Sequence, residues 1–385
     1  ELFPACPESF GVRGTSLTTV ATYDYLGTSE LVGVTLPEPD VFSNRFDSLG
    51  DYTQLDRWNR PTTWTWTKDL TTDRDFYDVD VTFNDRGDIL RTVDNVMADT
   101  SGVHYFDRVY TLDALGRVLG EARGDWDGTG IDTTREDRNW ALTAVGNWAS
   151  RDYDLDGSGI DFAEDNTPLG THFTNANEWT YRNVTTGGSD LDPDFDLNGN
   201  MIDDGKDYDY EYDAWNRLTT IFVRNTTTVV TEYRYNGLGH RISESDGTDT
   251  EYLIYDDRWR LISRHNGSEY LEETLHHHAG LDGYGGASAV DSVVMRRTFL
   301  TSGDPQVEDK RWYVLQNWRQ DPVAILDEAR RPPRTQRERV FFSPYGRIFG
   351  LPATRLAGDT GFDGDYGAGD STAISGWSTA YQAYA

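Results

Sequence analysis

The chain repeats one short pattern of apolar and polar positions. The pattern opens with an aromatic or apolar residue and continues with Asp, two spacers, Gly or Asn, Arg and a second apolar residue. Its clearest copies are residues 212–218 and 112–118, and looser copies open at Leu55, Phe83, Leu142, Phe173, Phe195, Tyr235 and Tyr255. Copies spaced 17 to 31 residues apart predict a repeat architecture.

Each repeat is predicted to be a β-hairpin, because the spacing leaves room for two strands and two turns. The opening aromatic ends one strand, the Asp side chain caps the turn backbone, and Gly or Asn accepts a positive φ before the next strand begins. The Arg that follows is placed to pair with the Asp of a neighbouring unit. The residues predicted to hold the register are Asp113, Gly116, Arg117, Tyr212, Asp213, Asn216 and Arg217.

Three phrases of the chain are distinctive: Asp-Leu-Asn-Gly-Asn-Met at 196–201, Tyr-Asp-Tyr-Glu-Tyr-Asp-Ala-Trp-Asn-Arg-Leu at 208–218 and Phe-Phe-Ser-Pro-Tyr-Gly-Arg at 341–347. With these phrases the chain resembles the YD-repeat, or Rhs (rearrangement hotspot), family. The resemblance covers roughly residues 50–350. It implies hairpins joined into a long sheet that winds into a hollow shell, often around a C-terminal toxin. The Arg-Tyr-Tyr-Asp-Pro type of phrase that ends the family's core is not found.

We therefore predict an all-β fold in which repeat β-hairpins form one long spiralling antiparallel sheet, shell-like or tube-like. The predicted organisation has three parts. Residues 1–50 form a strand-containing cap or assembly segment, residues 51–350 form the repeat shell with Asp-rich insertions, and residues 351–385 form a tail rich in Gly, Ala, Ser and Thr.

Composition agrees with strands and turns, since 13% of the 385 residues are aromatic and 37 are glycine. The net charge of −31 repels phosphate backbones and anionic membranes, so we expect no nucleic-acid partner. No stretch approaches the ~20 apolar residues of a membrane span. The single cysteine, Cys6, cannot form an internal disulfide. We predict an extracellular or cell-surface protein.

Two Asp-rich insertions have the spacing of the front half of a calcium loop, with oxygen donors at positions one, three and five and Gly at six. The candidate ligands are Asp125, Asp127, Thr129 and Glu136 in the first loop, and Asp154, Asp156, Ser158 and Asp165 in the second. Calcium is the possible cofactor. The alternative is that these are acidic turns whose Asp side chains cap their own backbone.

Trp64 and Trp66 alternate with Thr and therefore project from one sheet face. That face either stacks on sugars or packs inside the shell wall, and the second interpretation is favoured. No nucleophile motif, phosphate loop or zinc signature is present, and carboxylates are too numerous for one pair to stand out. We expect no enzymatic activity.

Three functions fit these observations. The favoured one is an extracellular structural subunit that assembles with copies of itself, head-to-tail through exposed sheet edges, into a filament or tube. The second is a shell fragment of an Rhs-type toxin-delivery protein. The third is a calcium-dependent adhesion module that binds surface glycans.

Overall fold

The computed structural model describes residues 9–10, 18–26, 30–38, 40–44, 52–68, 74–96, 106–155, 157–167, 173–174, 178–277, 293–299, 308–319, 321–327, 336–342, 344–345 and 348–352. Within these ranges every regular element is a strand. The strands form one sheet of twelve, one of fourteen and one of two, all antiparallel and all in chain order. The predicted all-β fold of hairpin strands is confirmed.

The first sheet contains twelve consecutive strands. They are β3 (Thr22–Leu26), β4 (Glu30–Leu36), β5 (Val41–Asn44), β6 (Thr63–Lys68), β7 (Arg74–Phe83), β8 (Ile89–Asp94), β9 (Asp107–Leu112), β10 (Val118–Trp126), β11 (Ile131–Leu142), β12 (Trp148–Asp154), β13 (Phe162–Asp165) and β14 (Val184–Thr186). The separate two-stranded sheet pairs β1 (Ser9–Phe10) with β2 (Thr18–Thr19).

The second sheet contains the remaining fourteen strands. They are β15 (Asp194–Phe195), β16 (Met201–Asp203), β17 (Tyr208–Tyr212), β18 (Leu218–Val223), β19 (Val229–Tyr235), β20 (Arg241–Ser245), β21 (Thr250–Tyr255), β22 (Leu261–Asn266), β23 (Leu271–His277), β24 (Val293–Phe299), β25 (Glu308–Gln316), β26 (Pro322–Asp327), β27 (Gln336–Phe342) and β28 (Ile348–Pro352).

The sheet is divided between β14 and β15, whereas the sequence predicted one continuous sheet. The connecting residues explain the division. Gly187 has a φ of +75°, which turns the chain sharply. Pro193 then has no N–H to donate to a strand ladder.

The predicted repeats are present at all nine openers, because each opener pairs with the residue six positions later. The pairs are Leu55–Pro61, Phe83–Ile89, Leu112–Val118, Leu142–Trp148, Phe173–Trp179, Phe195–Met201, Tyr212–Leu218, Tyr235–Arg241 and Tyr255–Leu261. Gln316–Pro322 and His265–Leu271 have the same spacing and were missed because their opening residues are polar.

The two large sheets pack against each other through an apolar core. Trp64, Trp66 and Val79 of the first sheet lie in one buried cluster with Tyr313 and Leu315 of the second. Tyr313 and Leu315 have no exposed surface, so this part of β25 is fully covered. The late strands of the chain therefore return onto the face of the early strands.

The strands between residues 22 and 44 belong to the first sheet rather than to a separate one. β5 pairs with β6, and Val34, Leu36 and Val41 contribute to the core between the sheets. Residues 353–385 lie outside the described residues, as does most of residues 1–17.

Candidate functional site

The repeat turn is built by its first residue, which caps the backbone of the whole turn. In the copy at residues 213–217, the Asp213 carboxylate accepts hydrogen bonds from the N–H groups of Trp215 (2.8 Å) and Arg217 (3.0 Å). The Asp213 N–H donates to the Arg217 carbonyl oxygen at 2.9 Å. Asn216 has a φ of +61°, the left-handed conformation that Asn tolerates best among residues with a side chain. The sequence pattern therefore encodes the turn residue by residue.

The Arg of the phrase pairs with the Asp of its own turn. Arg217 Nε lies 2.7 Å from Asp213 Oδ2, and Arg117 Nε lies 2.6 Å from Asp113 Oδ2. The expected pairing with the Asp of a neighbouring unit is wrong. The reason is geometric: residues one and five of this tight turn face each other, so the nearest carboxylate is local.

Neighbouring turns are joined instead through the far end of the same guanidinium. Arg217 Nη1 donates to the Asn236 carbonyl oxygen at 3.2 Å, and Arg217 also lies over the Tyr235 ring. Arg117 Nη1 donates in the same way to the Thr143 carbonyl oxygen at 3.0 Å. Both of these turns are thus joined to the next turn along the sheet.

Glycine is needed in this stack where the preceding turn comes close. Gly116 has a φ of +82°, and a Cβ there would lie 2.9 Å from Asp88 Oδ1 of the preceding turn. A side chain at this position would strain the backbone and displace Asp88. Gly116 therefore keeps both the turn and the spacing between turns.

The Asp carboxylates of these turns are held in the charged form by their hydrogen bonds. The pKa of Asp113 is lowered, first by the N–H of Arg117 and further by the Arg117 side chain and the N–H of Leu115. For Asp213, desolvation raises the pKa, but the hydrogen bonds from Arg217 and Trp215 outweigh it and the pKa is lowered. Both turns stay ion-paired at neutral pH.

A row of buried charges crosses the face of the first sheet from β9 to β13. Its members are Arg108, Glu121, Arg123, Glu136, Arg138, Arg151 and Glu164, joined on the next segment by Arg182. Glu136 binds Arg123 at 2.9 Å and also binds Arg138. Glu164 binds both Arg151 (2.8 Å) and Arg182 (2.7 Å). We call this set the charged row.

The charged row lies on the same sheet face as the apolar core. Cross-strand pairing connects Val81 to Thr92, Thr92 to Arg108, and Arg108 to Arg123. Since directly paired residues share a face, the face changes from apolar to charged between β7 and β9. The sequence contained a signal for the row that we did not use: Glu and Arg alternate at 121–123 and 136–138, in positions that a strand places on one face.

Two carboxylates of the row have opposite pKa shifts. Burial raises the pKa of Glu121 more than the nearby Arg108 lowers it. Burial also raises the pKa of Glu164, but hydrogen bonds from Arg182 and Asn166 and the charge of Arg151 outweigh it, so the pKa is lowered. For Glu121 the cost of desolvation therefore exceeds what its partners contribute, whereas for Glu164 the partners outweigh that cost.

A cavity of about 460 Å³ marks the boundary between the apolar and charged parts of the face. Tyr77, Phe106, Arg108 and Tyr110 line it from the first sheet, and Trp318 and Phe342 line it from the second. The Arg108 guanidinium donates to the Phe342 carbonyl oxygen at 2.7 Å. The lining mixes rings with the ion-paired Arg108 and also includes the carboxylates of Asp88, Asp94 and Asp321.

Trp64 and Trp66 do share a face, but they cannot stack on sugars. Each is 2% exposed, and each indole N–H donates to the Gln316 carbonyl oxygen at 3.0 Å. The structure shows packing instead, because both rings are buried between the two sheets. The physical reason is that β25 and β26 cover this face of β6.

The first Asp-rich loop does not gather its predicted calcium ligands. Asp127 accepts hydrogen bonds from the N–H groups of Thr129 (2.7 Å) and Gly130 (2.9 Å), which lowers its pKa. Glu136, the proposed closing ligand, is buried against Arg123. Across the described residues, no three His, Cys, Asp or Glu side chains are grouped to hold a metal ion.

The second loop is similar as far as it is described. Asp154 accepts hydrogen bonds from the N–H groups of Gly157 (2.7 Å) and Gly159 (3.1 Å), and Asp165 accepts one from Thr167 (3.0 Å). Ser158 is exposed, and Asp156 lies outside the described residues. Calcium at this loop stays a prediction.

No family model matches the chain, and no curated protein matches it either. Solved structures do. One is the Tc holotoxin pore of Photorhabdus luminescens with a TccC3 mutation, at a TM-score of 0.63 and 12% identity over 89% of this chain. Others are the TcdB2-TccC3-Cdc42 complex (TM-score 0.62, 12% identity) and the TcdB2-TccC3 complex (0.61, 11%), each again over 89% of this chain.

At these identities the likeness establishes the fold: two large antiparallel sheets of hairpin strands, as in the Tc toxin chains. This chain spans 16% of the length of the first two of those chains and 17% of the third. In the described part of the chain, no helix is long and apolar enough to cross a membrane.

Proposed function

We propose that this chain is a segment of the wall of a hollow, extracellular shell of the Rhs type, which encloses a toxin for delivery. The observation that carries the proposal is the return of β25 and β26 onto β6 and β7, through Trp64, Trp66 and the Gln316 carbonyl. Two sheets of hairpin strands that pack face to face in this way form a layered wall. The Tc toxin structures, which have the same fold, support the toxin-shell reading over the free structural subunit.

The wall has no catalytic role in this proposal. Its chemical features serve its rigidity: the stacked turns fix the spacing of the hairpins, and the charged row links β9 to β13 by side chains as well as by the backbone. The toxin would be a separate part of the natural protein.

Electron cryomicroscopy of the natural protein that carries this sequence tests the proposal. We expect hollow particles in which the strands β3 to β28 form part of the wall. Filaments or open tubes made of many copies would contradict it and favour the structural subunit that assembles through its sheet edges. A compact particle with no internal space would contradict both.

The calcium-dependent adhesion module has less support, because Trp64 and Trp66 are buried. A thermal melt of the chain in calcium and in chelator tests what remains of it. Equal midpoints would leave both Asp-rich loops as backbone-capped turns.

A further inference from the structure

The turns that connect the strands of the second sheet lie along two edges, one at each end of the strands, and these two edges differ in chemistry. The edge made of the repeat turns carries apolar residues at its tips, namely Leu197, Trp215, Leu238 and Trp259. The opposite edge carries polar tips: Thr226 and Thr227, Gly247 and Thr248, and Gly267 and Ser268. Both edges border the same strands, so the strand architecture does not explain the difference.

The apolar tips are among the most exposed large apolar residues of the described chain. Leu197 is 106% exposed, Trp215 76%, Leu238 72% and Trp259 54%. Leu115 (74%) and Val145 (76%) lie at the third position of their turns in the first sheet, as Trp215 and Leu238 do in the second, whereas Leu197 lies at the second position and Trp259 at the fourth. A single exposed Leu needs no explanation, but exposed apolar residues on four successive turns do.

These four tips form one continuous row because their turns are in contact. Asn200 Nδ2 donates to Asn216 Oδ1 at 3.0 Å, Arg217 donates to the Asn236 carbonyl, and the rings of His240 and Trp259 are 3.9 Å apart. Successive turns are two strands apart, which is about 10 Å. We call Leu197, Trp215, Leu238 and Trp259 the turn ridge.

The ridge is prepared for contact in two respects. Arg217 lies over the Trp215 ring, 5.1 Å from its centroid, which holds the indole in place while it is exposed. Beside the tips, Asp213 and Asp256 are paired with Arg217 and Arg260, whereas Asp196 next to Leu197 is hydrogen-bonded to Asn200. The ridge is thus a nearly neutral strip on a chain whose net charge is −31.

We propose that the turn ridge is a self-association surface, where the ridge of a second copy of this chain packs in an antiparallel, two-fold arrangement. Tips about 10 Å apart leave gaps into which the tips of an identical row fit. The four side chains expose about 600 Å² if a fully exposed one presents roughly 200 Å². That area approaches the ~800 Å² that each partner contributes to a standard interface. This inference goes beyond the wall function and does not depend on it.

Sedimentation equilibrium of the purified full chain tests the proposal. We expect a monomer–dimer equilibrium that tightens as NaCl increases, because salt screens the repulsion between two strongly negative copies while the apolar contact persists. The double variant Trp215→Ser with Leu238→Ser should weaken the dimer at least tenfold. Its thermal midpoint should stay near that of the wild type, since both side chains are exposed.

The matched control is Tyr252→Ser with Ile254→Ser, which removes two apolar side chains that are 39% and 45% exposed on a sheet face. This control should dimerise like the wild type. A wild type that stays monomeric at every salt concentration would overturn the proposal. So would a ridge variant that dimerises as well as the wild type, or a control that weakens the dimer equally.

Discussion

One face of the first sheet holds two regions that are buried by different means. Around β6 and β7 the buried side chains are Trp64, Trp66 and Val79, and they contact the apolar face of β25. From β9 to β13 the charged side chains buried on this face are Arg and Glu, paired across strands, and they lie beside the buried Trp140. The first region gains stability from apolar area removed from water, whereas the second must offset the desolvation of every charge it holds.

The comparison shows that covered parts of one sheet face are filled in one place by apolar packing and in another by paired charges. Over the charged region, Arg108 donates to the Phe342 carbonyl, the Tyr345 hydroxyl donates to the Val118 carbonyl at 2.8 Å, and the Tyr345 ring lies 4.8 Å from the ring of Trp140. The charged row therefore fixes the order of the strands more than it adds to the free energy of folding.

The largest effect is expected in the apolar region. Trp64→Ala removes a ring that is 2% exposed and its hydrogen bond to Gln316, which should lower the free energy of unfolding by about 4 kcal/mol. Denaturant titration measures this. The matched control is Trp215→Ala, the same chemical change at a Trp that is 76% exposed, and it should cost far less. Equal losses would mean that Trp64 does not join the sheets.

Breaking the charged row should cost nearly as much, for a different reason. Glu136→Leu leaves Arg123, which is 1% exposed, without its carboxylate, and we expect a loss of about 3 kcal/mol. Adding Arg123→Met to this variant should recover part of the loss, because an apolar pair has no charge to desolvate. If the two substitutions lower the free energy of unfolding additively, the charged row stabilises the fold and does more than fix the order of the strands.

An ion pair at the sheet edge should matter less than a buried one. Arg117→Ala removes the pair with Asp113 and the hydrogen bond to Thr143, and we expect the thermal midpoint to fall by about 2 °C. Arg234→Ala, at an exposed position on the second sheet, serves as the control and should leave the midpoint unchanged. A fall in the thermal midpoint as large as that of Glu136→Leu would mean that the stacked turns, rather than the charged row, fix the register of the strands.

The subtlest effect is a difference of sign within the row. The folded pKa of Glu121 is raised, so the charged form costs stability at pH values above that of a free Glu. Glu121→Gln should therefore be more stable than the wild type at pH 7, and the advantage should vanish as the pH falls towards 4.

Glu164 should behave in the opposite way. Its folded pKa is lowered, so the charged form contributes stability above the unfolded pKa, and that contribution is lost as the pH falls through the folded pKa. Glu164→Gln should be less stable than the wild type at pH 7 and equal to it in acid. Unfolding curves of both variants at pH 7, at pH 4 and at a pH below the folded pKa of Glu164 decide the matter, and shifts of the same sign at pH 7 would refute it.

Much of the local structure could be predicted from the sequence because it is written within a few residues. The repeat turn needs only Asp213 to cap it, Asn216 to accept a positive φ and Arg217 to close it. All three interactions lie within five residues, so the pattern found the nine openers and their register. The copy at Gln316 was missed because its opening residue is polar, whereas the pattern asks for an aromatic or apolar one.

The environment of each face was decided only by the tertiary structure. Trp64 and Trp66 were correctly placed on one face by their alternation, but only β25, about 250 residues away in sequence, determines that this face is covered. In the same way, Glu136 has the spacing of a calcium ligand, yet its partner is Arg123 on the neighbouring strand. Turns are local and were determined by the sequence, whereas the burial of a side chain depends on which distant strand packs over it.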